Sequence, residues 1–236
     1  MTPSLDLITA IDLTACAAIV VGTLALVYPG PLRSRARLAI GFAAWFAAIA
    51  TLCGLGVFHP VTGTGTIGLG VAIVGPALVV LAIVASSAER RDRVLSMPLA
   101  PLIGVHVVRV LGLNFLLLQA AGRLPAPFAP VAGGGDIFIG LTALPLAWAV
   151  YRQIAGWRTL AIGWTMLGML DLLAAIGLGV ASAPDSPVRI FQGPPDTSVM
   201  TTLPWMLIPA FLVPILFLLH VLVLKRLLGA QSARLT

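Results

Sequence analysis

Residues 99–122 read LAPLIGVHVVRVLGLNFLLLQAAG. The run is long enough to cross a hydrocarbon core of about 30 Å, which takes about 20 helical residues at about 1.5 Å each. Its interior nevertheless holds His106, Arg109 and Asn114. A guanidinium at that depth is costly unless it finds a partner. Asp12, Asp136 and Asp171 each lie inside another apolar run, so the first expectation is a polar cluster closed by helix packing.

Composition points the same way. Apolar residues make up 59% of the 236 and charged ones only 9%, with a mean hydropathy of +1.07, which excludes an ordinary soluble domain. The net charge of +6 raises nucleic acid as a partner, but the basic residues fall in short clusters between apolar runs and form no stripe. They read as topology determinants, and the expected partner is the lipid bilayer, with no nucleic acid. Cys16 and Cys53 offer no spacing for a metal knot or a disulfide framework. Residues 1–6 contain no Lys or Arg, so the basic start of a cleaved signal peptide is missing and the first apolar run is expected to stay as a membrane helix.

Seven runs reach spanning length: 5–28, 36–58, 67–87, 99–122, 131–151, 158–180 and 203–228. Without strand-like alternation each must satisfy its own backbone as a helix. The expected fold is therefore all-α, a polytopic membrane helix bundle of seven transmembrane helices forming one domain over 1–236. Alternate connections hold Arg33, Arg35 and Arg37, then Arg90, Arg91 and Arg93, then Arg152 and Arg158, then Lys225, Arg226 and Arg234, whereas the intervening ones hold only Arg123 and Arg189. The positive-inside bias then places the N-terminus outside and the C-terminus in the cytoplasm of a bacterial-type inner (plasma) membrane. Tyr28, Trp148, Tyr151 and Trp157 form an inner aromatic belt, with Phe58, Phe128 and Trp205 near the outer face.

A 3+1+3 parallel pseudo-repeat is a further expectation. Residues 38–42 (LAIGF) recur as 160–164 (LAIGW) and residues 54–57 (GLGV) as 177–180 (GLGV), while a similar offset sets Tyr28 on Tyr151 and Asp12 on Asp136. The alternative is chance matching among Gly/Ala/Leu-rich helices. The layout is similar to that of SWEET sugar transporters and of microbial rhodopsins, but no residue extends either likeness. Lys225 sits at the end of the seventh helix, not in its middle, and no proline-glutamine pair is present.

Counting from the expected ends, Arg109 lies about 18 Å below the outer face, Asp171 about 13 Å, Asp12 about 9 Å and Asp136 about 8 Å. Arg109 with Asp171 is the natural pair, either as a helix pin or as part of a substrate or proton pathway. His106 shares the Arg109 face and His220 lies at a comparable depth in the seventh helix. Two such histidines are candidates for proton relay, for a haem or metal site, or for plain packing. Asn114 reads as interhelical glue. The Asp136, Gly140, Ala143, Ala147 stripe invites close approach to Asp136, and Pro204, Pro209 and Pro214 free carbonyls at three levels.

Two functions fit. One is a small-solute or proton-coupled transporter, with Arg109, Asp171, Asp136, Asp12, His106, His220 and Asn114 forming the substrate or proton pathway. The other is a non-catalytic membrane subunit or sensor whose cluster pins the helices. A haem- or pigment-binding protein and an enzyme are the remaining readings, the last needing a nucleophile or metal set near the membrane surface. No cofactor is required, no catalytic set stands out, and oligomeric state is not encoded in any feature of the chain.

Overall fold

A computed structural model describes residues 3–232 of the chain. Arg234, one of the residues used above to orient the chain, lies outside the described residues. Among them there is no strand, and seven helices are long and apolar enough to cross a membrane. The chain runs through α1 (Pro3–Val27), α2 (Leu32–Gly54), α3 (Gly65–Ala85) and a short α4 (Ala88–Ser96). It continues through α5 (Leu99–Gly104), a 3-10 segment (Val105–Gly112) and α6 (Leu113–Ala120), which together make the fourth span. Then come α7 (Phe128–Tyr151), α8 (Trp157–Ser182), a 3-10 turn (Ser198–Thr201), a π segment (Ile208–Leu212) and α9 (Val213–Ser232).

The helix ends follow local chemistry. After α2, Gly56 adopts φ +74°, and the amides of Gly56 and Val57 return to the carbonyls of Cys53 and Leu52, a Schellman closure that favours glycine. The same closure ends α7 with Gln153 at φ 53°, its amide on Val150 and that of Ile154 on Ala149. The charged run after α3, expected to be a loop, forms α4 instead. Ser87 caps it by accepting from the Arg90 amide at 3.4 Å.

Two spans depart from the continuous helices expected. The fourth is α-helical only at its two ends. The seventh does not start at 203: the chain turns there, and spanning structure begins at Ile208 as a π segment. Proline chemistry accounts for the seventh, since Pro209 and Pro214 bring no N–H to the carbonyls one turn back. The Trp205 carbonyl accepts from the Ile208 amide at 3.1 Å instead.

The fourth and seventh spans are the axis of the bundle. Of their core windows 61% is buried, against 11% for α2 and 6% for α3. The fourth packs chiefly on α7, and α8 lies on α7 and on α9. Ile40, Val71 and Leu78 on α2 and α3 point outward, a surface suited to acyl chains. Both ends of the bundle are tied. At one, Asp6 accepts from Arg123 at 2.8 Å and from the Trp205 indole at 3.0 Å. At the other, Arg158 donates to the Leu227 carbonyl and Arg226 to that of Met97.

Candidate functional site

The fourth span delivers its polar residues through the 3-10 winding. At about three residues per turn, positions i and i+3 eclipse, so His106, Arg109 and Gly112 fall in one row, and all three are buried. Arg109 is 3% exposed. Glycine lets this row press against α7. A Cβ on Gly112 would come 2.5 Å from that of Asp136, and one on Gly140 would come 2.6 Å from the Val110 amide nitrogen. A Cβ on Gly133 would likewise sit 2.8 Å from the Gly112 carbonyl. Backbones at such separation place Asp136 within reach of the guanidinium from a neighbouring span.

Three spans then converge on Arg109. Its Nε donates to Asp136 Oδ1 at 2.6 Å, and one Nη donates to Asp171 on α8. The other Nη donates to the Gly168 carbonyl at 3.3 Å and faces His220 Nε2 at 3.1 Å. A guanidinium has no acceptor, so His220 receives this bond on Nε2 and its remaining proton sits on Nδ1. The imidazoles of His106 and His220 lie with centroids 4.0 Å apart and planes tilted by 35°, and Trp164 abuts both, at 5.3 and 5.1 Å. Trp164 is held in turn by its indole N–H, which donates to Thr142 Oγ1 at 2.8 Å.

Two further glycines make room for the cluster. A Cβ on Gly168 would meet the His220 ring at 2.5 Å, and one on Gly135 would collide with the Asp171 carboxylate. The cluster as built holds one guanidinium and two carboxylates, leaving one negative charge in excess when both aspartates are ionised. It is also incompletely bonded. Among the described residues, neither ring nitrogen of His106 has a hydrogen-bond partner, nor has His220 Nδ1, nor the Thr165 hydroxyl one turn before Gly168. His106, His220 and Thr165 are fully buried, and buried polar groups are ordinarily satisfied.

A small cavity of about 70 Å³ runs to Asp136 between α3, α6, α7, α8 and the π segment, lined by Phe115, Phe128, Leu172, Ile208 and Asp185 among others. That is space for about two water molecules. The loop after α8 lies over it and is fastened by Asp185, which accepts from the amide and hydroxyl of Thr66 at 2.6 and 2.7 Å. A carboxylate there also complements the positive end of α3.

Of the residues singled out from sequence, Arg109, Asp136, Asp171, His106 and His220 come together. Asp12 does not: it is half-buried on α1 and, among the described residues, has no ion pair or side-chain hydrogen bond with this group. Asn114 is buried on α6 and, among the described residues, its Nδ2 has no hydrogen-bond partner, so it does not join the cluster. The histidines do not fit a bis-imidazole haem, because ring centroids 4.0 Å apart leave no space for a porphyrin between them. Among the described residues no group of three or more His, Cys, Asp or Glu is placed to hold a metal ion. Sequence reasoning missed Trp164, Gly168 and the clasp of Asp6, Arg123 and Trp205. Gly168 gave one signal, standing three residues before Asp171 on the same helix face.

No curated protein and no solved structure matches the chain. A family match does cover residues 66–228, which takes in every member of the cluster.

Proposed function

The chain belongs to the family described as Domain of unknown function (DUF8737), and from that premise we propose that it is a membrane carrier that couples a small solute to protons. The Arg109 cluster is its proton-exchanging centre. One observation carries this reading: a single buried guanidinium shared by two largely buried carboxylates from different spans, Asp136 and Asp171. A pin needs one carboxylate. The second leaves a charge that a proton neutralises at far lower cost than an isolated buried anion would incur. The unpartnered nitrogens of His106 and His220 extend the path along the ring pair, and the cavity at Asp136 supplies the approach from the end marked by Asp6 and Asp185. Arg109 acts as the fixed counter-charge, since its Nε and both Nη are already engaged. Solute contact therefore belongs to the carboxylates and to the cavity side. The distribution of arginines supports an outer N-terminus and a cytoplasmic C-terminus in a plasma membrane.

Infrared titration of the purified protein tests the proton directly. The expected result is a protonated-carboxyl stretch that appears and disappears reversibly with pH and is lost in Asp171→Asn or Asp136→Asn. Proteoliposomes loaded with a pH-sensitive dye should then take up protons under an imposed potential, and the same variants should abolish uptake while eluting as folded monodisperse protein. If no carboxyl titrates while the protein stays folded, the centre is static and the proposal fails. The fully engaged guanidinium favours one second reading, a membrane subunit or sensor in which the cluster only fixes helix packing. It is distinguished by Asp171→Asn misfolding without any titrating band in the wild type.

A further inference from the structure

A second site lies away from the cluster. A groove of about 940 Å³ opens between the end of α1 and helices α2, α3, α4 and α9, at the upper end of the size range for ligand pockets. Its walls are apolar, with Phe42 and Trp45 on α2, Val80 on α3 and Leu219 on α9. Its mouth is basic: Arg37, Arg90, Arg91, Arg93 and Lys225 line it, with Glu89 the acidic residue among them. Arg93 is paired with Glu89, and Arg90 is turned to the Ile83 carbonyl and Ser86. Arg37, Arg91 and Lys225 are exposed and take part in none of these bonds.

The two chemistries are separated along the helix axis. From Arg37 at the mouth to Trp45 on the wall is about 12 Å along α2, so the groove starts at headgroup level and descends into the hydrocarbon. Neither a soluble anion nor an uncharged chain uses both halves. Gly41 forms part of the wall, and a Cβ built there meets nothing within 4 Å. We infer that the groove is a binding site for an anionic phospholipid, with an acyl chain between α2, α3 and α9 and its phosphate on Arg37, Arg91 and Lys225. The inference rests on the seven spans crossing a membrane and is independent of the proton reading.

Native mass spectrometry of delipidated protein, titrated with phosphatidylglycerol or with phosphatidylcholine of the same chains, measures the first lipid bound. Phosphatidylglycerol should bind at least about tenfold more tightly, given about fivefold per basic residue near the headgroup. In Arg37→Gln/Arg91→Gln/Lys225→Gln that preference should vanish, while phosphatidylcholine binding is unchanged. Gly41→Trp, which fills the wall and leaves the three basic residues in the chain, should remove the first site for both lipids. Inorganic phosphate in excess should not displace the lipid. Equal binding of the two lipids to the wild type, unchanged binding in Gly41→Trp, or displacement by phosphate alone would each overturn the proposal. So would a wild-type dimer that Gly41→Trp dissociates, because a second copy would then occupy the groove.

Discussion

Replacing Arg109 by methionine keeps most of the side chain's bulk and removes its charge. Asp136 and Asp171, 14% and 9% exposed at the side chain, would then face each other with no cation. Removing one partner of a buried ion pair costs about 3–5 kcal/mol, most of it the desolvation of the charge left behind. Asp171→Asn is the milder lesion: the Arg109–Asp136 contact at 2.6 Å survives and the excess negative charge disappears, so the loss should be about 1.5–3 kcal/mol, that of one charge-assisted hydrogen bond. The triple variant Arg109→Met/Asp136→Asn/Asp171→Asn buries no charge, and uncharged replacements of buried ionic groups are often neutral or better. It should recover to within about 2 kcal/mol of the wild type. Reversible unfolding in mixed micelles, titrated with a denaturing detergent and followed by circular dichroism, gives all three values. If Arg109→Met lies within about 1 kcal/mol of the wild type, well below the cost of a broken buried pair, or if the triple variant is as unstable as the single, the three charges do not balance one another and the reasoning about the cluster is wrong.

The glycines of α8 give a matched pair. Gly168→Ala should destabilise by about 1–3 kcal/mol through overpacking against His220, whereas Gly163→Ala, where a Cβ meets nothing within 4 Å, should be neutral or gain up to about 1 kcal/mol in helix propensity; the same unfolding assay reads both. His106→Phe removes two unpartnered ring nitrogens and should raise stability by about 1–3 kcal/mol while slowing proton uptake into proteoliposomes. Arg123→Ala should cost no more than about 1 kcal/mol, because the pair with Asp6 is partly exposed. Hydrogen exchange should nonetheless speed up in the first turn of α1 and around Trp205.

Burial demands make some features of a membrane chain legible and leave others hidden. The seven spans could be read because length and hydropathy decide them, and Arg109 with Asp171 because neither charge has anywhere else to go. Asp136 joined them because Gly112, Gly133 and Gly140 let α7 close on the fourth span. Asp12, counted to a similar depth, stays half-buried on α1: depth alone does not say which helices meet. Asp6 found Arg123 across 117 residues, a pairing no local pattern encodes. The 3-10 winding of the fourth span was equally silent in sequence, because its cause is tertiary. Close contacts of Gly112 with Gly133 and of Gly140 with Val110 set the backbone, and 3.6-residue periodicity carries no record of them. The π segment had a signal in Pro209 and Pro214, but proline spacing alone does not say whether a helix kinks, widens or stops.

The tight winding between Val105 and Gly112 has a mechanical corollary. Eight residues wound this way are about 4 Å longer than the same residues in α form. Slackening that coil would shorten the span and swivel the guanidinium by about 80° relative to Val105, since each step turns about 120° in one geometry and about 100° in the other. Both aspartates would lose their grip together, like a key withdrawn from two wards at once. Spin labels at Ala100 and Leu117 would register the shortening as the pH is changed, and a constant separation would show that the key never turns.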